Sequence, residues 1–296
     1  MRWWLLAAAP IGLAAVLPAQ VPPGTDVFVV PIAIRGASVT LGTVTNLTRR
    51  PGYDNQPSFS PDGKLLYYTV VGDGGPNGTT QADIFRADLA TGRSDPFTTT
   101  PESEYSATVT PAGRDISVIR VELDSTQRLW AFPLSGGNPR VLAERTKPVG
   151  YQTWLDQTTV GAFVLGSPAT LQILDLATGD ARILLSNIGR ALQRVPGRRA
   201  VTVTQRVSVS EWWIVEVDAA TGAAAPMVRM AEGADYFVWL PDGSLLSAAG
   251  SSLLRYRPKT DTGWRVVANV PGVTVISRLA VSPKGDRLAF VAEDPK

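Results

Sequence analysis

The chain of 296 residues contains no cysteine and no histidine. Without cysteine it can form no disulfide, present no thiolate nucleophile or thiolate zinc site, and carry no lipid on an N-terminal cysteine. Without histidine it lacks the usual general base, the Ser-His-Asp and Cys-His arrangements, and every histidine-based metal site. Charge is also scarce: 28 Lys and Arg against 26 Asp and Glu leave a formal net charge of +2. The basic residues are scattered, so a pI near 9.0 marks no nucleic-acid track, and the doublets Arg49-Arg50 and Arg198-Arg199 read as solvated turn residues. No Gly-x-Ser-x-Gly elbow, Walker loop or dinucleotide fingerprint occurs. The inventory therefore points to a non-enzymatic protein with no catalytic residues, no cofactor, no resident metal and no nucleic-acid partner. With 44% hydrophobic residues, the chain is nonetheless well able to bury a core.

The one long apolar run stands at the start. Met1-Arg2 supplies a positive end, Trp3 to Leu17 is apolar apart from small residues and Pro10, and Ala19 offers a cleavage point. That order is the order of a secretory signal peptide, expected over residues 1–20. The run is short for a transmembrane helix, and an uncleaved anchor is the alternative. No later segment approaches spanning length. The expected location is the periplasm or the secreted fraction, with no membrane span after cleavage.

Two short patterns recur through residues 21–296. The first is a Pro-x-Gly turn before an alternating strand, clearest in Ser60-Pro-Asp-Gly63 and repeated at Pro111-Ala-Gly113, Pro196-Gly197, Pro241-Asp-Gly243 and Pro283-Lys-Gly285, with a degenerate copy at Asp156. Successive copies lie 50, 45, 40, 45 and 42 residues apart. The second is a strand ending in a Gly turn, as in Asp88-Leu-Ala-Thr-Gly92, Gly136-Gly137, Asp175-Leu-Ala-Thr-Gly179, Asp218-Ala-Ala-Thr-Gly222 and Thr262-Gly263, stepping by 45, 42, 43 and 41. Both share the ~40–45-residue period of a propeller blade of the WD-repeat-like kind. Segments such as Asp83–Leu89, Leu171–Leu176 and Trp212–Val217 are rich in β-branched and aromatic residues, which suits strands.

The expected fold is all-β: a six-bladed β-propeller of four-stranded antiparallel blades. The sixth unit lacks its last two strands, and the segments from Asp26 to Ile34 and Val39 to Leu47 supply them. The N-terminal strands thus complete the last blade and close the ring, leaving no open sheet edge.

Asp54-Asn-Gln-Pro-Ser-Phe-Ser-Pro-Asp-Gly-Lys-Leu-Leu-Tyr-Tyr68 resembles the Asp-x-x-Pro-x-aromatic-Ser-Pro-Asp-Gly repeat of TolB-like β-propellers. The likeness is sharp in this copy, weaker in the others, and runs as a repeat class from about residue 26 onward. It implies a propeller and, as in TolB, a periplasmic protein-binding role. TolB carries a separate α/β domain before its propeller, whereas here the signal segment and one strand pair precede the repeats. Similar repeats also occur in prolyl oligopeptidase-type peptidases, whose hydrolase domain has no counterpart in this sequence.

Propellers bind at the mouth of the central channel. In the Asp-x-x-Pro frame the acidic position is Asp54 in the first unit and Glu104 in the second; the others offer Val149, the neighbourhood of Arg190, Ala234 and Ile276. Two carboxylates fall short of a Ca²⁺ ring, so the expectation is that they satisfy local backbone N–H groups in Asx-type turns. Tyr53, Tyr105, Tyr151 and Tyr236 collect in the same loops, with Arg278 at the matching place in the last unit. Together with Asp54 and Glu104 they form the candidate binding set, against the alternative that each ring packs between blades. Trp130, Trp154, Trp212, Trp213, Trp239 and Trp264 are assigned mainly to packing between blades. Asn46-Leu-Thr48 and Asn77-Gly-Thr79 match a glycosylation sequon that is often fortuitous, and Gly72–Gly78 reads as an insertion between strands.

The leading expectation is a monomeric exported propeller binding a protein, peptide or cell-envelope component through one loop face. The alternatives are a propeller hydrolase of the lactonase kind, dependent on a channel metal held by Asp, Glu and Asn, and an accessory protein to a separate catalytic chain.

Overall fold

The computed structural model describes residues 24–72 and 80–293. The expected signal segment 1–20, the Asn77 sequon and nearly all of the Gly72–Gly78 insertion lie outside those residues.

Among the described residues every regular element is a β-strand. Three come first: β1 (Thr25–Arg35), β2 (Ser38–Leu41) and β3 (Thr45–Asn46). A set of four follows, β4 (Tyr53–Phe59), β5 (Leu65–Gly72), β6 (Gln81–Asp88) and β7 (Ser94–Pro96). The next set is β8 (Ser103–Val109), β9 (Asp115–Val121), β10 (Gln127–Pro133) and β11 (Arg140–Val141). Then come β12 (Val149–Trp154), β13 (Thr159–Val164), β14 (Thr170–Asp175) and β15 (Asp180–Ser186). They are followed by β16 (Ile188–Arg194), β17 (Ala200–Arg206), β18 (Trp212–Asp218) and β19 (Ala224–Arg229). The remainder are β20 (Phe237–Trp239), β21 (Leu245–Ala249), β22 (Ser252–Tyr256), β23 (Arg265–Asn269), β24 (Ile276–Val281) and β25 (Arg287–Glu293). No described helix is long and apolar enough to cross a membrane.

Four of these sets are separate four-stranded antiparallel sheets, each in consecutive order. The strands β24, β25 and β1 pair antiparallel in that order, with Thr25 opposite Glu293 and Pro31 opposite Arg287. Hairpin partner β2 extends that sheet, and a single parallel bridge, Thr25 to Tyr53, joins it to β4–β7. The N-terminal strand therefore pairs with the last strand of the chain, as the repeat arithmetic requires.

Burial varies across each sheet in a way that fixes the layering. The second strands are buried on both faces: β13 wholly, and β5, β17 and β25 over five consecutive residues each. The fourth strand β15 is exposed over its first four residues. Apolar runs such as Thr159-Val-Gly-Ala-Phe-Val164 thus belong between neighbouring sheets, and polar strands lie outermost. Apolar side chains gather in seams between consecutive sheets. Phe28, Val30, Ile276 and Phe290 meet Val238, Leu246 and Leu253, with the Phe28 and Phe290 rings stacked at 5.2 Å. Val27, Ala289 and Val291 meet Leu66, Tyr68 and Val70.

The turns repeat a common chemistry. Asp88 Oδ1 accepts from the backbone N–H of Ala90 and Thr91 at 2.9 Å each, and Gly92 closes the turn at φ 74°. Asp218 does the same for Ala220 and Thr221. These are Asx turns, and the positive φ explains the glycine. The bonds to Thr91 and Ala90 hold the Asp88 carboxyl below its ordinary range.

Candidate functional site

Antiparallel register orients the molecule. Ser103 lies opposite Val121, Val149 opposite Val164, Ile188 opposite Gln205 and Ile276 opposite Ala292. The start of each first strand therefore shares one face with the hairpin between its second and third strands. Between the first strands runs a cavity of about 310 Å³, lined from β4, β8, β12, β16, β20 and β24 or their immediate flanks and reaching the Pro283 turn at the far end. Tyr151, Tyr236 and Arg278 stand toward the strand-start face.

The side chains at its mouth are placed by backbone irregularities. The pairing slips in β4 between Asn55 and Ser58, in β8 between Tyr105 and Thr108, in β12 between Val149 and Tyr151, in β16 between Ile188 and Leu192, and in β24 between Ile276 and Arg278. A bulge inserts unpaired backbone and re-aims its side chain. Gln56 and Ser106, at φ 58° and 55°, sit inside two of these bulges. Gln56, Ser106, Tyr151, Arg190 and Arg278, in or beside these slips, reach the cavity, and Tyr236 reaches it from the residue before β20.

Arg278 dominates the mouth. Its Nη2 donates to Tyr151 Oη at 2.8 Å, bringing a residue of β24 to one of β12. Its guanidinium carbon stands 4.2 Å from the Tyr236 ring centroid and 5.0 Å from that of Tyr151, which is cation–π distance. Burial acts to raise the Tyr151 hydroxyl, yet the charge and hydrogen bond of Arg278, with the charge of Arg190, hold it below the ordinary tyrosine range. Burial prevails at Tyr236 and Tyr53, whose hydroxyls are pushed up although both arginines pull them down. Deeper in the cavity a polar relay links three sheets. Gln56 Oε1 accepts from Thr69 Oγ1 and from the Ser106 N–H at 2.8 Å each, and Gln152 Nε2 donates to the Ser106 carbonyl at 3.2 Å. Ser106 Oγ and Gln152 Oε1 are buried without a partner.

Of the sequence-based candidates, Tyr151, Tyr236 and Arg278 line this cavity; Tyr53, Asp54, Glu104 and Tyr105 do not. Tyr105 packs instead against the seam of Ile119, Leu129 and Val149. Asp54 and Glu104 depart from the expected Asx turns. Asp54 is wholly buried and pairs with Arg50 Nη2 at 2.6 Å, leaving Oδ2 unpartnered. Glu104 is likewise buried, accepts from Thr100 Oγ1, and lies 3.1 Å from Arg120 Nε without a hydrogen-bond angle, so Oε2 and that Nε stay unpartnered. Burial pushes its carboxyl up to about 7, against the Thr100 hydrogen bond and the Arg120 charge. The strand start lies inside the sheet, so the carboxylates are out of reach of the turn N–H groups that sequence reading assigned to them. Among the described residues no group of three or more Asp and Glu is placed to hold a metal ion.

Sequence reasoning overlooked Gln56, Ser106 and Gln152 and treated Arg190 only as a position marker. A two-residue alternation fixes facing only while the ladder is regular, and each of these residues stands in or beside a bulge. The tryptophans behave as packing residues: Trp154 Nε1 donates to Ser117 Oγ at 2.8 Å and Trp239 Nε1 to Thr202 Oγ1 at 2.9 Å, each across a seam. Asn46 and Thr48 of the first sequon both donate to the buried Asp26, at 2.6 and 2.8 Å.

No protein-family model matches the chain, and no curated protein matches it by sequence. Solved structures do match. A protein of Agrobacterium tumefaciens assigned to TolB superposes with a TM-score of 0.70 at 17% identity, covering 93% of this chain and 99% of its own. TolB from Acinetobacter baumannii gives 0.58 at 13% identity, over 92% of this chain and 65% of that one. An oligogalacturonate lyase in complex with manganese gives 0.58 at 17% identity, over 88% and 83%. These identities speak for architecture alone. With the repeat motif, the sheet order and these superpositions together, the chain has the fold of a TolB-like β-propeller.

Proposed function

We propose that this chain is an exported six-bladed propeller, spanning residues 21–296 and closed by its N-terminal strand. It binds a protein or peptide partner of the cell envelope through the face that carries the channel mouth. Support for six blades comes from the six inner strands sharing one cavity and from buried seams between every consecutive pair of sheets, last to first included. The observation that carries the choice of face is the placement of exposed apolar side chains. Leu123, Leu165, Val207 and Val209 stand in hairpins between second and third strands, and Val275 immediately precedes β24. These five lie on the strand-start face, Val209 86% exposed, while the exposed Ile183 and Val266 stand on the outer strands β15 and β23. The opposite face carries the Asp, Thr, Pro and Gly turns. Exposed apolar residues gathered on one face favour an interaction surface there, and the likeness to TolB structures supports an envelope setting.

Immobilised mature protein tests this against envelope extract, beside a V209E variant. Retention of one partner by the wild type and its loss by V209E is the expected result. Equal retention by both, or none by either, would contradict the assignment of the face. The metal-dependent alternative fits the residues poorly. Among the described residues no group of three or more Asp and Glu is placed to hold an ion; Asp54 and Glu104 face Arg50 and Arg120, and the cavity presents Arg190 and Arg278. A divalent cation would be repelled there.

A further inference from the structure

We infer that the channel mouth is a receptor for the carboxylate of an extended acidic peptide, gripped by Arg278 and Arg190; the inference rests on the proposed docking face. Two arginines line one cavity of about 310 Å³, and among the described residues neither forms an ion pair with any carboxylate. Arginines elsewhere are often neutralised, Arg128 by Glu122 at 2.5 Å and Arg140 by Asp115 at 2.7 Å; what sets Arg190 and Arg278 apart is that both line one cavity without such a partner. Even Asp235, which shares an adjoining cavity of about 320 Å³ with Arg190 and Tyr236, pairs with neither. Like charges held in one partly dehydrated space repel, and an anion between them relieves that cost.

The geometry also orients the grip. Tyr151 and Tyr236 brace the Arg278 guanidinium by the 2.8 Å hydrogen bond and the two ring contacts. A guanidinium fixed in this way has its remaining N–H groups free for a carboxylate, the anion whose shape matches its fork. Because Arg278 covers a face of each ring, the tyrosines act as its supports and offer little surface on which a sugar could stack. Gln56, Ser106 and Gln152 line the same cavity from neighbouring strands, so its wall sets polar side chains beside the carboxylate grip, as a peptide backbone requires.

Titration calorimetry with the blocked peptide acetyl-Ala-Glu-Ala-Glu-amide and its Gln counterpart tests this, with digalacturonate and inorganic phosphate as further arms. The Glu peptide is expected to bind at least 10-fold more tightly than the Gln peptide, and R278M and R190Q each to weaken it by 10-fold or more. R278K, which keeps charge but loses the fork, is expected to fall between, with all variants melting within a few degrees of the wild type. Equal binding of the Glu and Gln peptides, or unchanged binding by R278M, would overturn the receptor. Tighter binding of digalacturonate or of phosphate would overturn it in favour of an acidic sugar or a simple anion site. An envelope partner kept by R278M but lost by V209E would leave the docking face standing while removing the carboxylate receptor; a partner lost by neither would remove the face itself.

Discussion

Glu104 is a wholly buried carboxyl whose own strand start gives it one hydroxyl donor and one misaligned guanidinium. Its folded-state value of about 7 against an ordinary 4.5 means the native state binds the proton more tightly than the unfolded chain does. Stability therefore falls as pH rises from about 4.5 to 7 and is flat beyond, by an amount on the order of 3 kcal/mol for a fully realised shift. The neutral isostere should escape this loss. Thermal melts at pH 5 and pH 8 are expected to show E104Q gaining on the wild type at the higher pH and not at the lower; an equal difference at both would refute a raised carboxyl. The residue type at this position was legible in the repeat frame, and its surroundings were not. Arg50 reaches Asp54 from four residues upstream and Arg120 is the cross-strand partner of Glu104, pairings that a turn rule does not contain.

Strands and turns were the most legible elements, because alternating burial and Asp-x-x-Thr-Gly chemistry act within a few residues. Bulges were the least legible. Gly189 shows the consequence. It stands in the slipped stretch of β16, where an added Cβ would lie 2.3 Å from Thr204 Oγ1 and 3.0 Å from the Trp212 ring. Thr204 is buried and branched at its Cβ, so it has little room to yield. G189A should cost about 1–3 kcal/mol by overpacking, read from urea unfolding, and a neutral result would show that the bulge is not packed as described. Nothing in the sequence around Gly189-Arg190 announced that constraint, which is also what brings Arg190 to the cavity. The inter-sheet tryptophans give a second check at this scale. W154F removes the bond to Ser117 Oγ at 2.8 Å, leaving that buried hydroxyl only its own bond to the Thr108 carbonyl, and should cost roughly 1–2 kcal/mol. A loss within about 0.5 kcal/mol, the range of surface substitutions, would argue against the seam.

At the scale of the whole molecule the site exists only if the first strands converge on a single cavity, and that depends on how the chain's two ends meet. The repeat arithmetic made the pairing of β1 with β25 legible: the last unit lacked strands that the first residues could supply. What it left open was the direction of the channel mouth, which required the antiparallel register. It also left open the identity of the mouth residues, which required the bulges. The seam of Val27, Ala289 and Val291 against Leu66, Tyr68 and Val70 is the packing that would hold such a ring shut.

Because the protein has no cysteine, a pair introduced across the latch would be its only thiols. Val29 and Ala289 face each other in the β1–β25 register, at a separation that suits a disulfide. Oxidation of folded V29C/A289C protein is predicted to give complete cross-linking. It should also give a reduction-sensitive rise in stability of roughly 5 kcal/mol or less, the range for closing so long a loop. Two thiols that stay free and reactive in the folded protein would show that its ends do not meet, and the shared channel would fall with them.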